Sequence, residues 1–276
     1  MKTILVTGSS DGIGLATSQQ LFSLGHKILV HGRNETRANY AIEQILAHSD
    51  LEAAAAAEKK RLIPVWGDLS EMSQVVGLAA QVQKVAPDLS VLINNAGVYM
   101  SERVLTKDKF EMTFAVNHLA VHLLTHHLMS LLKAQKQARV VTVSSMAHSK
   151  GHIQFDNLNG EKHFDGYEAY SASKLMNVLF TRCLAALNKN NSLTANCLHP
   201  GVIETKLLRA GFNIHGDSAE HGCRTSVCLA TDPALDAVTG KYFVNCKEAL
   251  ASRSGQDDNL AVQLWKKTEE ILKPWY

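Results

Sequence analysis

A doubly wound α/β domain, with one parallel sheet of seven strands and helices on both faces, is what this 276-residue chain predicts on three observations. Short runs rich in Val, Ile and Leu alternate with longer amphipathic segments, the rhythm of βαβ units. The first run, Lys2 to Thr7, passes through a glycine-rich turn straight into a helical pattern. No linker, repeat or low-complexity tail divides the chain, so 1–276 reads as one domain.

Composition narrows the partners. Lysine and arginine total 28 against 26 acidic residues, a formal charge of +2, with no basic block and no aromatic-basic alternation. Nucleic acid is therefore not an expected partner. Five cysteines (183, 197, 223, 228 and 246) form no CxxC pair and leave an odd count. That suits reduced thiols in a cytosol-like compartment, packed as small hydrophobes. The first strand starts at residue 2, which leaves no room for a signal peptide, and no apolar run approaches the ~20 residues that span a bilayer. A cytoplasmic protein without a membrane span is the expectation.

The strand from Lys2 ends in Thr7-Gly8-Ser9-Ser10-Asp11-Gly12-Ile13-Gly14, followed by Leu15, Ala16, Leu21, Phe22, Leu24 and a Gly25 stop. A strand, a glycine turn and a helix N-terminus together make an anion site. Backbone N–H groups point at the ligand, and glycines let a pyrophosphate approach without a Cβ in the way. A second strand, Lys27 to His31, ends at Gly32-Arg33-Asn34, with Arg37 one turn later. In dinucleotide folds an acid at this tip takes the ribose 2′-hydroxyl of NAD, while an arginine accommodates the 2′-phosphate of NADP. Arg33 therefore predicts NADP(H) over NAD(H), and Glu35 is the acid that would reverse the preference.

A helix over 35–59, with an Ala53 to Ala57 run, precedes strand Leu62 to Trp66 and the turn Gly67-Asp68-Leu69-Ser70, where Ser70 reads as the cap of a helix over 71–86. Strand Ser90 to Ile93 runs into Asn94-Asn95-Ala96-Gly97. Helix 108–133 holds Asn117 and His118, His122, His126 and His127. Three imidazoles on one stripe suggest metal, but no carboxylate or thiolate shares their spacing, so no metal is expected and the stripe reads as a packed or intersubunit surface. Strand Arg139 to Val143 ends in Ser144-Ser145, where strand alternation turns only one of the two hydroxyls into the crevice.

Helix 168–188 carries Tyr170-Ser171-Ala172-Ser173-Lys174. The i, i+4 spacing stacks phenol and ammonium on one face. A positive charge about 4 Å from the phenol, at an effective dielectric of about 20, would favour the phenolate by roughly 4 kcal/mol, about three pKa units at most. That would bring Tyr170 toward neutrality, where proton transfer is most efficient. Strand Leu193 to Leu198 leads to His199-Pro200-Gly201-Val202-Ile203-Glu204-Thr205. A helix over 219–230, a seventh strand over 241–244 and a helix near 257–272 complete the chain.

Thr7-Gly8-xxx-Gly12-Ile13-Gly14, Asp68-Leu69, Asn94-Asn95-Ala96-Gly97, Tyr170-xxx-Lys174 and Pro200-Gly201 occur in order along nearly the whole sequence. Together they resemble the short-chain dehydrogenase/reductase family, a Rossmann-type fold. Val143-Ser144-Ser145-Met146-Ala147-His148, Asn159-Gly160-Glu161-Lys162 and Gly240-Lys241-Tyr242-Phe243 resemble its retinol dehydrogenase-like branch. The resemblance implies hydride transfer between nicotinamide and a carbonyl or alcohol. It implies catalytic roles for Ser145, Tyr170 and Lys174, with Asn117 locally opening its helix to hold a relay water. It implies cofactor contacts from Gly8, Ser10, Asp11, Gly12, Ile13, Gly14, Asp68, Leu69, Asn95, Ala96, Gly97, Ile203 and Thr205, and from Tyr170 and Lys174.

Loops over 146–167 and 202–218 flank this constellation, the second reading as a mobile lid. Their Ile153, Phe155, Leu158, Phe164, Ile203, Leu207, Leu208 and Phe212 favour a lipophilic carbonyl or alcohol, retinoid- or steroid-like, or else pack the loops themselves. Two other activities fit parts of the pattern. A C=C reductase like protochlorophyllide reductase shares Tyr-xxx-Lys but adds a pocket cysteine, and none lies in 146–167 or beside Asn95. A non-catalytic dinucleotide sensor would need only the glycine cradle, not Ser145, Tyr170 and Lys174. The membrane-associated members of the branch carry an apolar segment before the glycine turn that is absent here, and assembly into a dimer or tetramer stays open.

Overall fold

Strand alternation divides this chain into two apolar layers. In strand β1 (Thr3–Val6) Ile4 and Val6 face one side and Leu5 the other; in β2 (Lys27–Gly32) Ile28 and Val30 oppose Leu29. The structure, a computed structural model, describes residues 1–48, 56–189, 192–211 and 215–276. Residues 49–55 of the helix expected over 35–59, with most of its alanine run, and Phe212 lie outside the described residues.

Six more strands follow: β3 (Leu62–Trp66), β4 (Leu89–Asn94), β5 (Ala138–Val143), β6 (Leu193–His199), β7 (Tyr242–Val244) and β8 (Lys247–Ala249). They form one sheet in the order β3-β2-β1-β4-β5-β6-β7-β8. Seven are parallel, as expected, and the eighth is antiparallel to β7. The seven-strand expectation missed this edge because β8 is three residues long and its turn is Asn245-Cys246, without the glycine that signals a tight hairpin.

The helices among the described residues are α1 (Gly12–Ser23), α2 (Glu35–His48), α3 (Ala56–Lys59), α4 (Met72–Val85), α5 (Met112–Phe114), α6 (Ala120–Lys133), α7 (Gly166–Leu187), α8 (Lys206–Gly211), α9 (Ala219–Thr231) and α10 (Asp258–Leu272). Leu21 and Phe22 of α1, Ile42 and Ile45 of α2 and Val227 of α9 cover the Ile4/Val6 side. Val75 and Leu78 of α4, Leu123 of α6, Leu179 of α7 and Leu264 of α10 cover the Leu5/Leu29 side.

Two helix starts differ from expectation for local reasons. The helix expected from 108 begins at Met112, because the Glu111 carboxylate accepts 2.8 Å bonds from the N–H groups of Thr113 and Phe114. Helix α4 starts after Glu71 and not under a Ser70 cap. Asp68 takes both the N–H and hydroxyl of Ser70, and Asp108 accepts the Met72 N–H at 2.7 Å. Strand order reverses between β1 and β4, which opens a crevice at their carboxyl ends.

Candidate active site

Three glycines shape one wall of that crevice. Gly8 and Gly12 lie in the left-handed region at φ +68° and +51°. Gly14 begins the packing of α1 onto the sheet so closely that an added Cβ would sit 2.1 Å from the Gly8 carbonyl oxygen and 2.5 Å from Asn95 Nδ2. Asp11 caps α1 by accepting the Gly12 N–H at 2.9 Å and is ion-paired to Lys206 of α8.

The Thr7 hydroxyl accepts the N–H groups of Asn95 and Ala96, each at 3.0 Å, and Asn95 Nδ2 donates back to the Thr7 carbonyl at 2.8 Å. The tips of β1 and β4 are thus tied across the crevice floor. Buried His31 reaches from β2, accepting the Gly8 N–H on Nδ1 at 3.0 Å, so its Nε2 carries the proton donated to the Gly67 carbonyl at 3.0 Å. Burial pushes this imidazole down to about 4.

This floor fits the diphosphate of a nicotinamide dinucleotide, because its close approaches are backbone and glycine and a Cβ at Gly14 would fill the turn. Gly14→Ala is accordingly expected to cost about 3 kcal/mol or more. The same change at Gly77, where an added Cβ meets nothing within 4 Å, should stabilise α4 by about 0.5–1 kcal/mol. Melting of the two variants checks the contrast, and equal melting temperatures would count against the steric argument.

At the tip of β2, Arg33 is exposed and its Nε lies 3.7 Å from Asp68 Oδ2. Arg37 is exposed as well. Asp68 Oδ1 is engaged by Ser70, and Leu69 is buried in the core, so Leu69 can meet a ligand only through its backbone. Beyond β6, Ile203 is buried beside Gly201 and Gly222, and the Thr205 methyl would be 3.3 Å from a Cβ on Gly12. Lys206 to Gly211, expected to be lid, is helix α8.

The proton-transfer candidates come from three elements. Helix α7 starts at Gly166, two residues earlier than expected, because Asp165 caps it and a Cβ at 166 would lie 2.4 Å from the Met100 carbonyl. Tyr170 is buried, and the Ser145 hydroxyl, at the end of β5, lies close enough to its phenol to favour the phenolate. Ser145 Oγ also accepts the Ala147 N–H at 3.1 Å. Ser144 turns the other way and donates to the Lys174 carbonyl at 2.7 Å.

Lys174 Nζ lies 5.5 Å from the Tyr170 ring centroid and donates to the Val143 carbonyl at 3.2 Å. Burial pushes this ammonium down to about 8. Burial likewise pushes the Tyr170 phenol up to about 12, and the Ser145 hydroxyl only partly opposes it. The lowered tyrosine expected from spacing alone is therefore corrected: desolvation of the phenol outweighs a lysine that sits over its ring.

Asn117 lies in a π-helical turn, Ala115–Leu119, between α5 and α6. Its Oδ1 accepts the Val98 N–H at 2.8 Å, while Nδ2 donates to the Val98 carbonyl at 3.0 Å and to Ser173 Oγ at 2.9 Å. A Cβ on Gly97 would come within 3.3 Å of Lys174 Nζ and 3.4 Å of Asn117 Oδ1, so Gly97 keeps this end of the floor open.

The loop over 146–167 does not turn its apolar side chains toward Tyr170. Ile153, Phe155 and Leu158 pack with the core. Leu158 and Phe164 line a cavity of about 250 Å³ with Ser173 and Met176, on the face of α7 that does not carry Tyr170. The aromatic wall beside Tyr170 is instead Tyr99, edge-on with centroids 5.9 Å apart, and a Cβ on Gly211 of α8 would meet the Tyr99 ring at 2.9 Å.

Sequence reasoning missed Tyr99, His31 and His148. The His148 ring accepts the Ser252 N–H on Nε2 at 3.0 Å and donates Nδ1–H to the Ser145 carbonyl at 2.6 Å, which ties the serine to the C-terminal segment. The only available signal was its position three residues after Ser145. Two members of the histidine stripe are internal packing, His118 bonding Thr268 of α10 at 2.8 Å and His122 lying 4.3 Å from the Trp265 ring, while His126 is exposed and stacks on Tyr276. Cys183 and Cys197 are in the core and Cys223 is buried, as expected, but Cys228 is half-buried and Cys246 is exposed.

The family model for short chain dehydrogenases matches residues 2–213. Retinol dehydrogenase 14 of Homo sapiens is 35% identical over 98% of this chain and 86% of its own length. Retinol dehydrogenase 12 of Bos taurus is 34% identical with the same coverage, 98% and 86%. Among solved structures, an uncharacterised protein of Mycobacterium Paratuberculosis superimposes with a TM-score of 0.79 at 27% identity, covering 99% of this chain and 94% of its own.

Proposed function

We propose, from the premise that this chain belongs to the short-chain dehydrogenase/reductase family and is retinol dehydrogenase-like within it, that it is an NADP(H)-dependent reductase of a lipophilic aldehyde or ketone. Membership makes it an oxidoreductase of CH–OH and C=O groups that works with a nicotinamide cofactor. The observation that carries the finer reading is the convergence of Ser145, Tyr170 and Lys174 at the crevice, with Lys174 Nζ 5.5 Å from the Tyr170 ring centroid one turn along α7.

When bound, the nicotinamide supplies or accepts the hydride. The protein's own part is the proton and the charge. Ser145 and Tyr170 point two hydroxyls toward one place, where a carbonyl oxygen would accept from both. A phenol held near 12 is protonated at neutral pH and is still more acidic than the alcohol an alkoxide becomes on protonation. It can give its proton to the oxygen of a reduced carbonyl, and it is a poor base for the reverse reaction. With NADP(H) as the cofactor, reduction is the expected direction in the cell. Lys174 would bind ribose hydroxyls, and Asn117 would hold the π-turn that links it to water. Gly8, Ser10, Asp11, Gly12, Ile13 and Gly14 would cradle the diphosphate, with Asp68, Leu69, Asn95, Ala96, Gly97, Ile203 and Thr205 contacting the rest of the dinucleotide.

The phosphate preference rests on Arg33. Its guanidinium is exposed at the tip of β2, held near Asp68, and can swing onto a 2′-phosphate. Arg33→Ala is expected to weaken NADPH binding about tenfold and leave NADH binding nearly unchanged. A wild-type enzyme with a clear NADH preference would sink the assignment. The lipophilic preference rests on Tyr99 beside Tyr170 and on Ile203 and Leu208, both buried in the segment above the cofactor floor. NADPH consumption across retinals, steroid ketones, quinones, aryl ketones and sugars tests it. Turnover of sugars alone would overturn it, and cofactor binding with no turnover across the panel would favour the non-catalytic sensor. No helix among the described residues is long and apolar enough to cross a membrane; action in the cytoplasm is part of the proposal.

A further inference from the structure

The β7–β8 turn holds a cysteine where the backbone favours glycine. Asn245 and Cys246 are its two central residues, both left-handed at φ +50° and +60°. A two-residue turn of this hand usually has Asn followed by Gly, because a Cβ in this conformation is strained. A strained side chain persists where its surroundings give it a use. Here the turn delivers Cys246 to α9. Its N–H donates to Thr225 Oγ1 at 3.2 Å, and its sulfur lies 3.9 Å from the same oxygen. Cys228 is one turn further along that face of α9, so its side chain and Cys246 lie on the same side of the helix, next to Thr225. Cys246 is open to solvent, while Cys228 is half-buried.

We infer that Cys228 and Cys246 form an oxidant-responsive dithiol, which a hydroperoxide converts to a disulfide linking α9 to the β7–β8 edge hairpin. The exposed Cys246 sulfur attacks the peroxide: an S–O bond forms, the O–O bond breaks, and an alcohol or water leaves. Cys228 then attacks that sulfur, the S–S bond forms, the S–O bond breaks, and water leaves with the Cys228 proton. The two thiols lose two electrons, and the peroxide is reduced by two. Cys246 is the exposed thiol and meets the peroxide first, while burial, which holds the Cys228 thiol up at about 11, keeps Cys228 from reacting first. The bond would brace α9, whose Gly222 packs against Ile13 and Ile203 at the cofactor floor, and would pin the exposed edge of the sheet.

The test is peptide mapping of the whole protein after graded hydrogen peroxide and alkylation of the remaining thiols. The expected product is an intramolecular 228–246 disulfide, two hydrogens lighter, reversed by dithiothreitol, with a melting temperature raised on the order of 5 °C. Cys246→Gly, which relieves the turn and should fold at least as well, is expected to lose both the cross-link and the peroxide-induced shift. Cys228→Ser should leave Cys246 trapped as the sulfenic acid by dimedone. Oxidation of Cys246 to the sulfinic acid with Cys228 still alkylated, or Cys246 bridging two chains in place of Cys228, would overturn the inference.

Discussion

Tyr170→Phe is expected to lower turnover by about 10²–10⁴-fold, the range that a positioned general acid contributes. The change removes one oxygen and keeps the ring that packs edge-on to Tyr99 and beneath Lys174. The interaction lost is the one with the Ser145 hydroxyl, and even a full hydroxyl hydrogen bond is worth about 1 kcal/mol net, so the fold should survive. Cofactor affinity should stay close to wild type, since the glycine turn and the tie between β1 and β4 are untouched. Steady-state turnover with NADPH, measured beside cofactor binding on the same preparation, separates the two effects. Near-wild-type turnover would remove Tyr170 from the chemistry, and loss of cofactor binding together with turnover would reassign it to positioning.

How much of this site was legible depended on how local its determinants are. The glycine turn was readable because its sharpest demands are local, left-handed φ at Gly8 and Gly12 and the Gly8 carbonyl against Gly14, although Asn95 and Thr205 crowd it from afar. The strand layers were readable because Ile4 and Val6 against Leu5 is a period-two pattern that burial obeys. Ser144 and Ser145 could be narrowed to one inward hydroxyl but not chosen between; the Lys174 carbonyl, 30 residues away, engages Ser144. The Tyr170–Lys174 spacing located the pair and misjudged its electrostatics, because burial of a phenol is not written in an i, i+4 pattern. The 146–167 loop had the apolar content of a substrate pocket, yet content does not say toward which face of α7 a side chain turns.

The histidines carry the same lesson with a larger energetic consequence. His31, His118, His122 and His199 are each at most 9% exposed, and burial holds them neutral, down to about 4, 3, 3 and 4. Three of the four are fixed by neutral partners: Gly8 and Gly67 around His31, Thr268 at His118, and Phe180 and Trp265 around His122. Their nearby charges give little relief, Asp68 for His31 and only other histidines for His122 and His199.

In the unfolded chain all four would titrate near 6.5. Between that value and about 4 the unfolded state binds protons that the native state refuses, so stability is full above about pH 7 and falls as pH drops. By pH 5 each histidine should cost about 2 kcal/mol, and the four together about 8 kcal/mol, comparable to the whole stability of a typical domain. The protein is therefore expected to unfold cooperatively near pH 5, well above the range where carboxylates are protonated. Equilibrium denaturation at stepped pH should show stability rising with a slope approaching four protons per molecule through pH 5 to 6. His118→Gln should reduce that slope by about one proton whatever it does to stability at pH 8. A flat profile down to pH 4.5 would mean that these imidazoles gain partners on protonation, and would undo the reading of the stripe as neutral packing.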